Sequence, residues 1–151
     1  MKSSKAKIEW FKRFSKLVLP FHPRIAEKVA QKLIKRCDTA KNSIASRSKK
    51  KGVLCTITVE DLRRLVFGSY GKKCKYCDRI LTIKNITFDH IIPMSKEGTS
   101  TPENMHVICR TSNNVKGSLD EENFLRLLDW LKTVPESLSK DILIRLSRGI
   151  H

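Results

Sequence analysis

The sequence predicts an α+β fold in which a small β-rich centre is flanked by basic N-terminal helices and by C-terminal helices. Apolar residues recur at helical spacing towards both ends of the chain, whereas runs of β-branched and aromatic residues cluster between residues 79 and 109. A length of 151 residues is typical of one domain, or of one domain with an extension. We expect a basic extension over residues 1–52, a core over 53–118, and helices over 119–151 that pack on the core.

Positive charge is concentrated in the first half of the chain. The protein has 31 Lys and Arg residues against 15 Asp and Glu residues, which gives a net charge of +16. Residues 1–73 carry +15 of this charge. Because such a charge repels itself in the folded state, it favours a polyanionic partner, with nucleic acid ahead of an anionic membrane surface. No helix face is apolar enough to favour the membrane.

The cysteine content indicates a reducing compartment. The sequence shows no secretory signal and no apolar run of membrane-spanning length, and its five Cys residues are an odd number. We therefore expect a cytoplasmic protein with free thiols, which favours metal binding over a disulfide framework.

The N-terminal part is expected to be helical and basic. Around Trp10 and Phe14 aromatic and basic residues are interleaved, which indicates either a helix packed on the core or a surface that stacks on bases. A helix is predicted from Pro23 to Ala45, followed by a basic loop over residues 47–52. This loop is a solvated linker or a phosphate-binding segment, and the charge favours the second. Its candidate DNA-binding residues are Arg47, Lys49, Lys50 and Lys51.

Local patterns predict the remaining elements. Thr58 is a suitable N-cap for a helix, and turn residues separate two β-rich runs at Lys84-Asn85. The predicted elements are a strand (Val53–Thr58), a helix (Val59 to about Ser69), a hairpin (Arg79–Ile83 and Ile86–Ile92), a short apolar segment (Met105–Cys109) and two helices (Leu119–Leu131 and Ser137–Leu146).

Three cysteines have a spacing that suits a metal site. Cys74 and Cys77 form a CxxC pair that can hold one tetrahedral ion, and Cys109 supplies a third thiol. The pair alone also fits a redox dithiol or two buried thiols. Cys37 and Cys55 are expected to be ordinary buried thiols.

An acid and a base lie side by side between these cysteines. Asp89 and His90 end an apolar run, Asn104 follows, and Asn113 and Asn114 begin a predicted helix. A carboxylate is a hard ligand suited to Mg²⁺, and an imidazole can accept a proton from water near neutral pH. The alternative is a strand end whose polar groups cap a turn.

Together these motifs resemble the HNH endonucleases, a family with the ββα-metal fold. The matching segments are Cys74-x-x-Cys77, Asp89-His90-Ile91-Ile92-Pro93 through Gly98, Glu103-Asn104-Met105, and Cys109-x-x-Ser112-Asn113 through Lys116-Gly117. Their order and spacing follow the family pattern across residues 74–117. The resemblance implies a metal-dependent DNA endonuclease of the kind found in phages and mobile elements.

The resemblance also implies a role for each residue. His90 is the expected general base, and Asp89 is the expected ligand of Mg²⁺, Mn²⁺ or another divalent metal. Asn113 is the expected second ligand, with Asn114 as an alternative. Asn104 would hold the loop that orients the base.

The fourth zinc ligand of the family is missing from this sequence. Ser112 stands where the family has its last cysteine. Zinc therefore either binds through Cys74, Cys77 and Cys109 with water or a displaced donor, or is absent from a fold held by its hydrophobic core. His106 is a possible displaced donor if the strand twists.

The sequence alone also leaves the role of Lys116, the oligomeric state and catalysis itself open. Lys116 is a candidate DNA contact or a solvated helix residue. The chain is a monomer that nicks DNA or a homodimer that cuts both strands. The competing hypothesis is a non-catalytic nucleic-acid-binding protein on a degenerate HNH fold, which the serine at position 112 favours and the retained Asp, His and Asn residues disfavour.

Overall fold

The structure is a computed structural model that describes residues 23–148, and it confirms the α+β class. Over this range the chain forms five α-helices and one two-stranded antiparallel sheet. The elements are α1 (Pro23–Lys51), α2 (Val59–Ser69), β1 (Ile86–His90), β2 (Met105–Cys109), α3 (Arg110–Lys116), α4 (Glu121–Leu131) and α5 (Glu136–Ser147), with 3-10 turns at Met94–Lys96 and Pro102–Asn104. The segment around Trp10 and Phe14 lies outside the described residues.

Helix α1 extends beyond its predicted end at Ala45, and the basic run predicted as a loop forms its last turns. Cations at this end of a helix are stabilised by the helix dipole. The helix ends at Lys51 and is followed by Gly52, which has a φ of 67°. The amide of Gly52 donates to the carbonyl of Lys49, and that of Val53 donates to the carbonyl of Ser48, as in a Schellman motif.

Helix α2 begins and ends where the sequence predicts. Thr58 and Asp61 form a capping box, in which the Asp61 amide donates to Thr58 Oγ1 at 3.1 Å and the Thr58 amide donates to Asp61 Oδ2 at 2.9 Å. These hydrogen bonds from Thr58 lower the pKa of Asp61. The buried face of the helix, with Leu62 and Val66, belongs to the same core as α1.

The sheet pairs strands that are distant in sequence, so the hairpin predicted around Lys84-Asn85 is wrong. β1 runs antiparallel to β2 instead. The local pairing fails because Asn85 caps the preceding turn: its Oδ1 accepts from the Thr82 amide at 2.8 Å, and its Nδ2 donates to the Ile80 carbonyl at 2.9 Å. Those backbone groups are then not available to a ladder between residues 79–83 and 86–92.

The strand predicted over Val53–Thr58 is an extended segment with one isolated bridge, between Cys55 and Ser100. The Ser100 amide donates to the Leu54 carbonyl at 2.7 Å, and the Ser100 carbonyl accepts from the Thr56 amide at 3.1 Å. The backbone of Ser100 is therefore fixed within the long connection between β1 and β2.

One hydrophobic core joins α1, α2 and the sheet. Leu33, Ile57, Leu62, Ile86 and Ile108 are among its fully buried members. The two C-terminal helices lie close to their predicted positions, and α5 packs on α3. None of the helices over residues 23–148 has the length and hydropathy to cross a lipid bilayer.

Candidate active site

The ββα unit gathers three of the predicted site residues around one cleft. This cleft, of about 270 Å³, is lined by Asp89 and His90 from the end of β1 and by Asn113 from α3. Arg47, near the end of α1, also lines it. Asn114 is exposed and does not line the cleft, whereas Asn113 does.

The three lysines that follow Arg47 lie away from the cleft. Lys49, Lys50 and Lys51 are exposed in the last turn of α1 and are not part of the cleft lining. They remain available to a partner at the surface.

His90 is buried and is tied to two serines. The residue is 7% exposed, and its Nε2 lies 2.8 Å from the Oγ of Ser100. The Oγ of Ser100 lies 2.7 Å from the Oγ of Ser48 on α1, and Ser48 Oγ donates to the sulfur of Met94 at 3.8 Å. Both serines are buried, so this chain of hydrogen bonds is shielded from solvent.

The number of protons available to this series of hydrogen bonds determines the tautomer of His90. A methionine sulfur can only accept, and each serine has one proton to donate. Since Ser48 donates to Met94, Ser100 donates to Ser48 and accepts from the histidine. Nε2 of His90 therefore carries the proton, and Nδ1 has the free lone pair. Burial, and then the charge of Arg47, lower the pKa of His90, which keeps the ring neutral near pH 7.

The carboxylate of Asp89 is held by a histidine and a lysine. Asp89 lies opposite His106 in the sheet, and its Oδ2 is 2.9 Å from His106 Nε2. The same oxygen is 3.0 Å from the Nζ of Lys116. Within residues 23–148 no hydrogen bond reaches Oδ1. That oxygen is therefore left for a ligand in the cleft.

Lys116 is buried, so both interpretations of this residue, a DNA contact and a solvated helix residue, are wrong. Its side chain is 0% exposed. Its Nζ donates to the carbonyl of His90 at 2.7 Å and forms the ion pair with Asp89. A buried ammonium with two partners would lose both of them in reaching a phosphate. Lys116 instead ties α3 to the end of β1.

Asn104 closes the loop that follows His90. Its Nδ2 donates to the carbonyls of Ile92 at 3.0 Å and Thr99 at 2.7 Å, and its Oδ1 accepts from the Ile92 amide at 2.8 Å. Gly98 packs against the same carbonyl, because a Cβ at this position would come within 1.8 Å of the Ile92 oxygen. The geometry is that of a residue that positions the loop.

Three thiols and one hydroxyl form a second cluster where β2 meets α3. The sulfurs of Cys74, Cys77 and Cys109 lie within 4.8 Å of one another. The Oγ of Ser112 lies 3.6, 3.5 and 3.3 Å from them. Tetrahedral zinc with Zn–S bonds of about 2.3 Å requires sulfurs roughly 3.8 Å apart, and the Cys77 and Cys109 sulfurs are 3.6 Å apart. The donor set therefore fits a zinc ion, with Ser112 at the fourth position.

The environments of the thiols differ. Burial raises the pKa of Cys77. Burial also acts to raise the pKa of Cys109, but its hydrogen bonds with Ser112 and the neighbouring thiols together lower it. His106 is not a displaced donor to this cluster, because its Nε2 contacts Asp89. Cys37 is fully buried, as predicted, and burial raises its pKa to about 12, whereas Cys55 is only partly buried.

Comparison with protein families agrees with this geometry. A family model described as HNH endonuclease matches residues 74–128. Residues 74–128 are thus the part of the chain that matches an HNH endonuclease domain. No curated protein matches the chain. The HNH domain contains the thiol cluster, both strands and α3, whereas Ser48 and Arg47 on α1 lie outside it.

The roles of three residues of the site, His106, Ser48 and Ser100, were not predicted from the sequence. His106 could have been paired with Asp89 only if the partner of β1 had been known, and the wrong hairpin concealed it. Ser48 and Ser100 carry no sequence signal, because hydroxyl residues are common in helices and loops. Their role depends on the packing of α1 against the loop.

Proposed function

We propose that this protein is a metal-dependent DNA endonuclease that hydrolyses a phosphodiester bond in the cleft between β1, α3 and α1. One observation carries the proposal: Asp89, His90 and Asn113 line the same cleft, with Arg47 beside them. The HNH endonuclease domain over residues 74–128 supports nuclease chemistry.

His90 is the general base in this proposal. It accepts a proton from the attacking water at Nδ1, while Nε2 keeps its hydrogen bond to Ser100. Arg47 contacts a phosphate of the substrate, since a guanidinium pairs well with phosphate oxygens. Asn104 positions the loop behind the base.

Asp89 and Asn113 are the proposed protein ligands of Mg²⁺ or Mn²⁺. Carboxylate and amide oxygens suit these hard cations, which keep several waters. A bound cation would neutralise charge on the phosphate and stabilise the leaving 3′ oxygen. His106 and Lys116 both contact Oδ2 of Asp89, so they orient the carboxylate and leave Oδ1 for the cation.

A structural zinc ion is proposed at the second cluster. Cys74, Cys77 and Cys109 would supply three thiolates, and Ser112 Oγ would supply the fourth, weaker ligand. This ion would brace the junction between β2 and α3 and would take no part in hydrolysis.

The arrangement of the chain is proposed on the same basis. Residues 1–52 act as a DNA-binding extension with Lys49, Lys50 and Lys51 as phosphate contacts, residues 53–118 as the nuclease core, and residues 119–151 as its cover. The protein would act in the cytoplasm of a phage-infected bacterial cell, as a nicking monomer or as a homodimer that cuts both strands.

A non-catalytic DNA-binding protein is the less favoured alternative. Binding alone does not require an aspartate, a histidine and an asparagine around one cleft. It also does not require the buried serine pair that leaves Nδ1 of His90 free to accept a proton.

Conversion of supercoiled plasmid tests the proposal. We expect nicked or linear product in Mg²⁺ or Mn²⁺ and no product in EDTA. Asp89→Asn should abolish cutting, because it removes the charge that binds the cation, whereas Asp141→Asn, an exposed carboxylate on α5, should leave cutting unchanged. Binding of the plasmid without cutting in either metal would favour the non-catalytic alternative.

A further inference from the structure

A second concave surface, next to the catalytic cleft, lies between α1 and β1. This groove has a volume of about 570 Å³, and five cations line it: Lys32, Lys35, Arg36, Arg47 and Arg110. Its lining contains no Asp or Glu. Four of the five cations lie on α1, which precedes the HNH endonuclease domain.

The α1 cations of the groove follow one face of the helix. Lys35 and Arg36 come three and four residues after Lys32, and Arg47 comes eleven residues after Arg36, so all four share a face at 3.6 residues per turn. With a rise of about 1.5 Å per residue, the row from Lys32 to Arg47 is roughly 22 Å long. That length suits a polymer with repeated negative charges.

Three of the groove cations have no carboxylate partner. Within the described range, Lys32, Lys35 and Arg110 form no ion pair and no side-chain hydrogen bond. By contrast, Lys75 and Lys96 pair with carboxylates at 2.6 and 2.7 Å. Grouped cations without partners repel one another, and a bound polyanion relieves that repulsion.

Arg36 holds the walls of the groove together. Its guanidinium donates to the carbonyl of Ile83 at 2.8 Å and to that of Ile86 at 3.1 Å. These bonds fix α1 against the start of β1. The groove is therefore built before a ligand arrives.

The groove is continuous with the catalytic cleft, because Arg47 and Phe88 line both. We infer that the groove binds the sugar–phosphate backbone of the strand that is cut, on one side of the scissile phosphate. This inference rests on the proposed DNA endonuclease function and adds to it a defined path for the substrate. Threonine and serine hydroxyls in the lining are further donors to phosphate oxygens.

The shape and lining favour a nucleic-acid strand over other polyanions. A membrane surface would need an exposed apolar face to insert, whereas this site is concave and its rim is cationic. Because the groove is continuous with the cleft, a strand bound in the groove would place its next phosphate near His90 and Arg47.

Salt-dependent binding of a labelled DNA duplex, measured in a buffer without Mg²⁺ or Mn²⁺, tests the inference without any need for cleavage. The groove variant Lys32→Gln/Lys35→Gln/Arg110→Gln is compared with Lys72→Gln/Arg126→Gln/Arg145→Gln, a matched variant that loses three exposed cations outside the groove. Between about 50 and 200 mM salt, the slope of log affinity against log salt should become less steep by about 2 to 3 in the groove variant. The control should change by less than about 1.

The two proposals can fail separately. Equal changes of slope in the two variants, with both melting like the wild type, would overturn the groove and leave the nuclease untouched. A smaller slope in the groove variant of a protein that never cuts would keep the groove as a DNA-binding surface but refute the nuclease, and with it the assignment of the groove to a strand that is cut. Binding of polyglutamate in the groove with no binding of DNA would assign the surface to an acidic protein and overturn the inference.

Discussion

The hydroxyl of Ser100 lies 2.8 Å from Nε2 of His90. Through this contact the proposed general base is oriented by a residue ten positions away, in the connection between β1 and β2. The backbone of Ser100 is held by the segment that leads into α2, and its hydroxyl is held by Ser48 on α1. The base is therefore oriented by parts of the chain that lie outside the HNH domain.

Replacing Ser100 with alanine should reduce turnover and change the histidine tautomer. The variant leaves Nε2 of His90 buried without a partner, at a cost of about 1–3 kcal/mol. We expect kcat to fall by about ten- to a hundredfold with little change in KM, given that cost. The ¹⁵N chemical shifts of His90 should show protonation only at Nε2 in the wild type and a mixture of tautomers in the variant.

Ser100→Thr is the matched control, because it keeps the hydroxyl. It should retain most of the activity and the Nε2–H tautomer. Unchanged ¹⁵N shifts and unchanged kcat in Ser100→Ala would show that the serine pair does not set the tautomer.

Replacing Lys116 with methionine should destabilise the protein strongly. The change removes a fully buried ammonium from Asp89 and from the carbonyl of His90. Breaking a buried pair in this way costs about 3–5 kcal/mol. Lys140→Met removes an exposed pair with Glu136 and should cost less than about 1 kcal/mol. Urea unfolding of both variants measures the difference, and equal midpoints would argue against a positioning role for Lys116.

Replacing Asn104 with alanine should loosen the loop after His90. Three hydrogen bonds to the loop backbone are lost, and the Ile92 amide loses its acceptor. Hydrogen exchange of that amide should accelerate by about tenfold or more, given a cost of about 1–3 kcal/mol. Asn114→Ala, on the exposed side of α3, should leave the exchange rate unchanged. Equal rates in the two variants would contradict the role of Asn104.

Replacing Ser112 with cysteine should strengthen zinc binding. The hydroxyl already lies 3.3 to 3.6 Å from the three sulfurs, so a thiolate there completes a four-cysteine site. After competition with a chelator, zinc content should fall in the order Ser112→Cys, wild type, Ser112→Ala. Zinc should raise the unfolding midpoint in the same order. Equal zinc retention by the wild type and Ser112→Ala would show that the hydroxyl is not a ligand.

The sequence was most informative where the signal is local. The start of helix α2 was predicted because Thr58 is a good N-cap residue, and the structure shows it capping the helix in a box with Asp61. The motif of Asp89, His90 and Asn113 was recognisable because the family pattern fixes its spacing, and these residues line one cleft.

The parts that could not be predicted depend on packing. The partner of β1 was missed because the Asn85 side chain hydrogen-bonds the backbone groups of Thr82 and Ile80 that a local hairpin would use. The burial of Lys116 was missed because a lysine on a short helix carries no sign of its partners. The pairing of Asp89 with His106 follows only once the register of the two strands is known.

Cleavage of a defined duplex under single-turnover conditions tests the central claim most directly, with His90→Ala compared with His106→Gln in the same metal buffer. His106→Gln keeps a hydrogen-bond donor for Asp89, so it should retain most of the rate. His90→Ala should lose about two to four orders of magnitude, as expected for removal of a general base. A His90→Ala variant that cuts as fast as the wild type would contradict the account, because the base would then lie elsewhere.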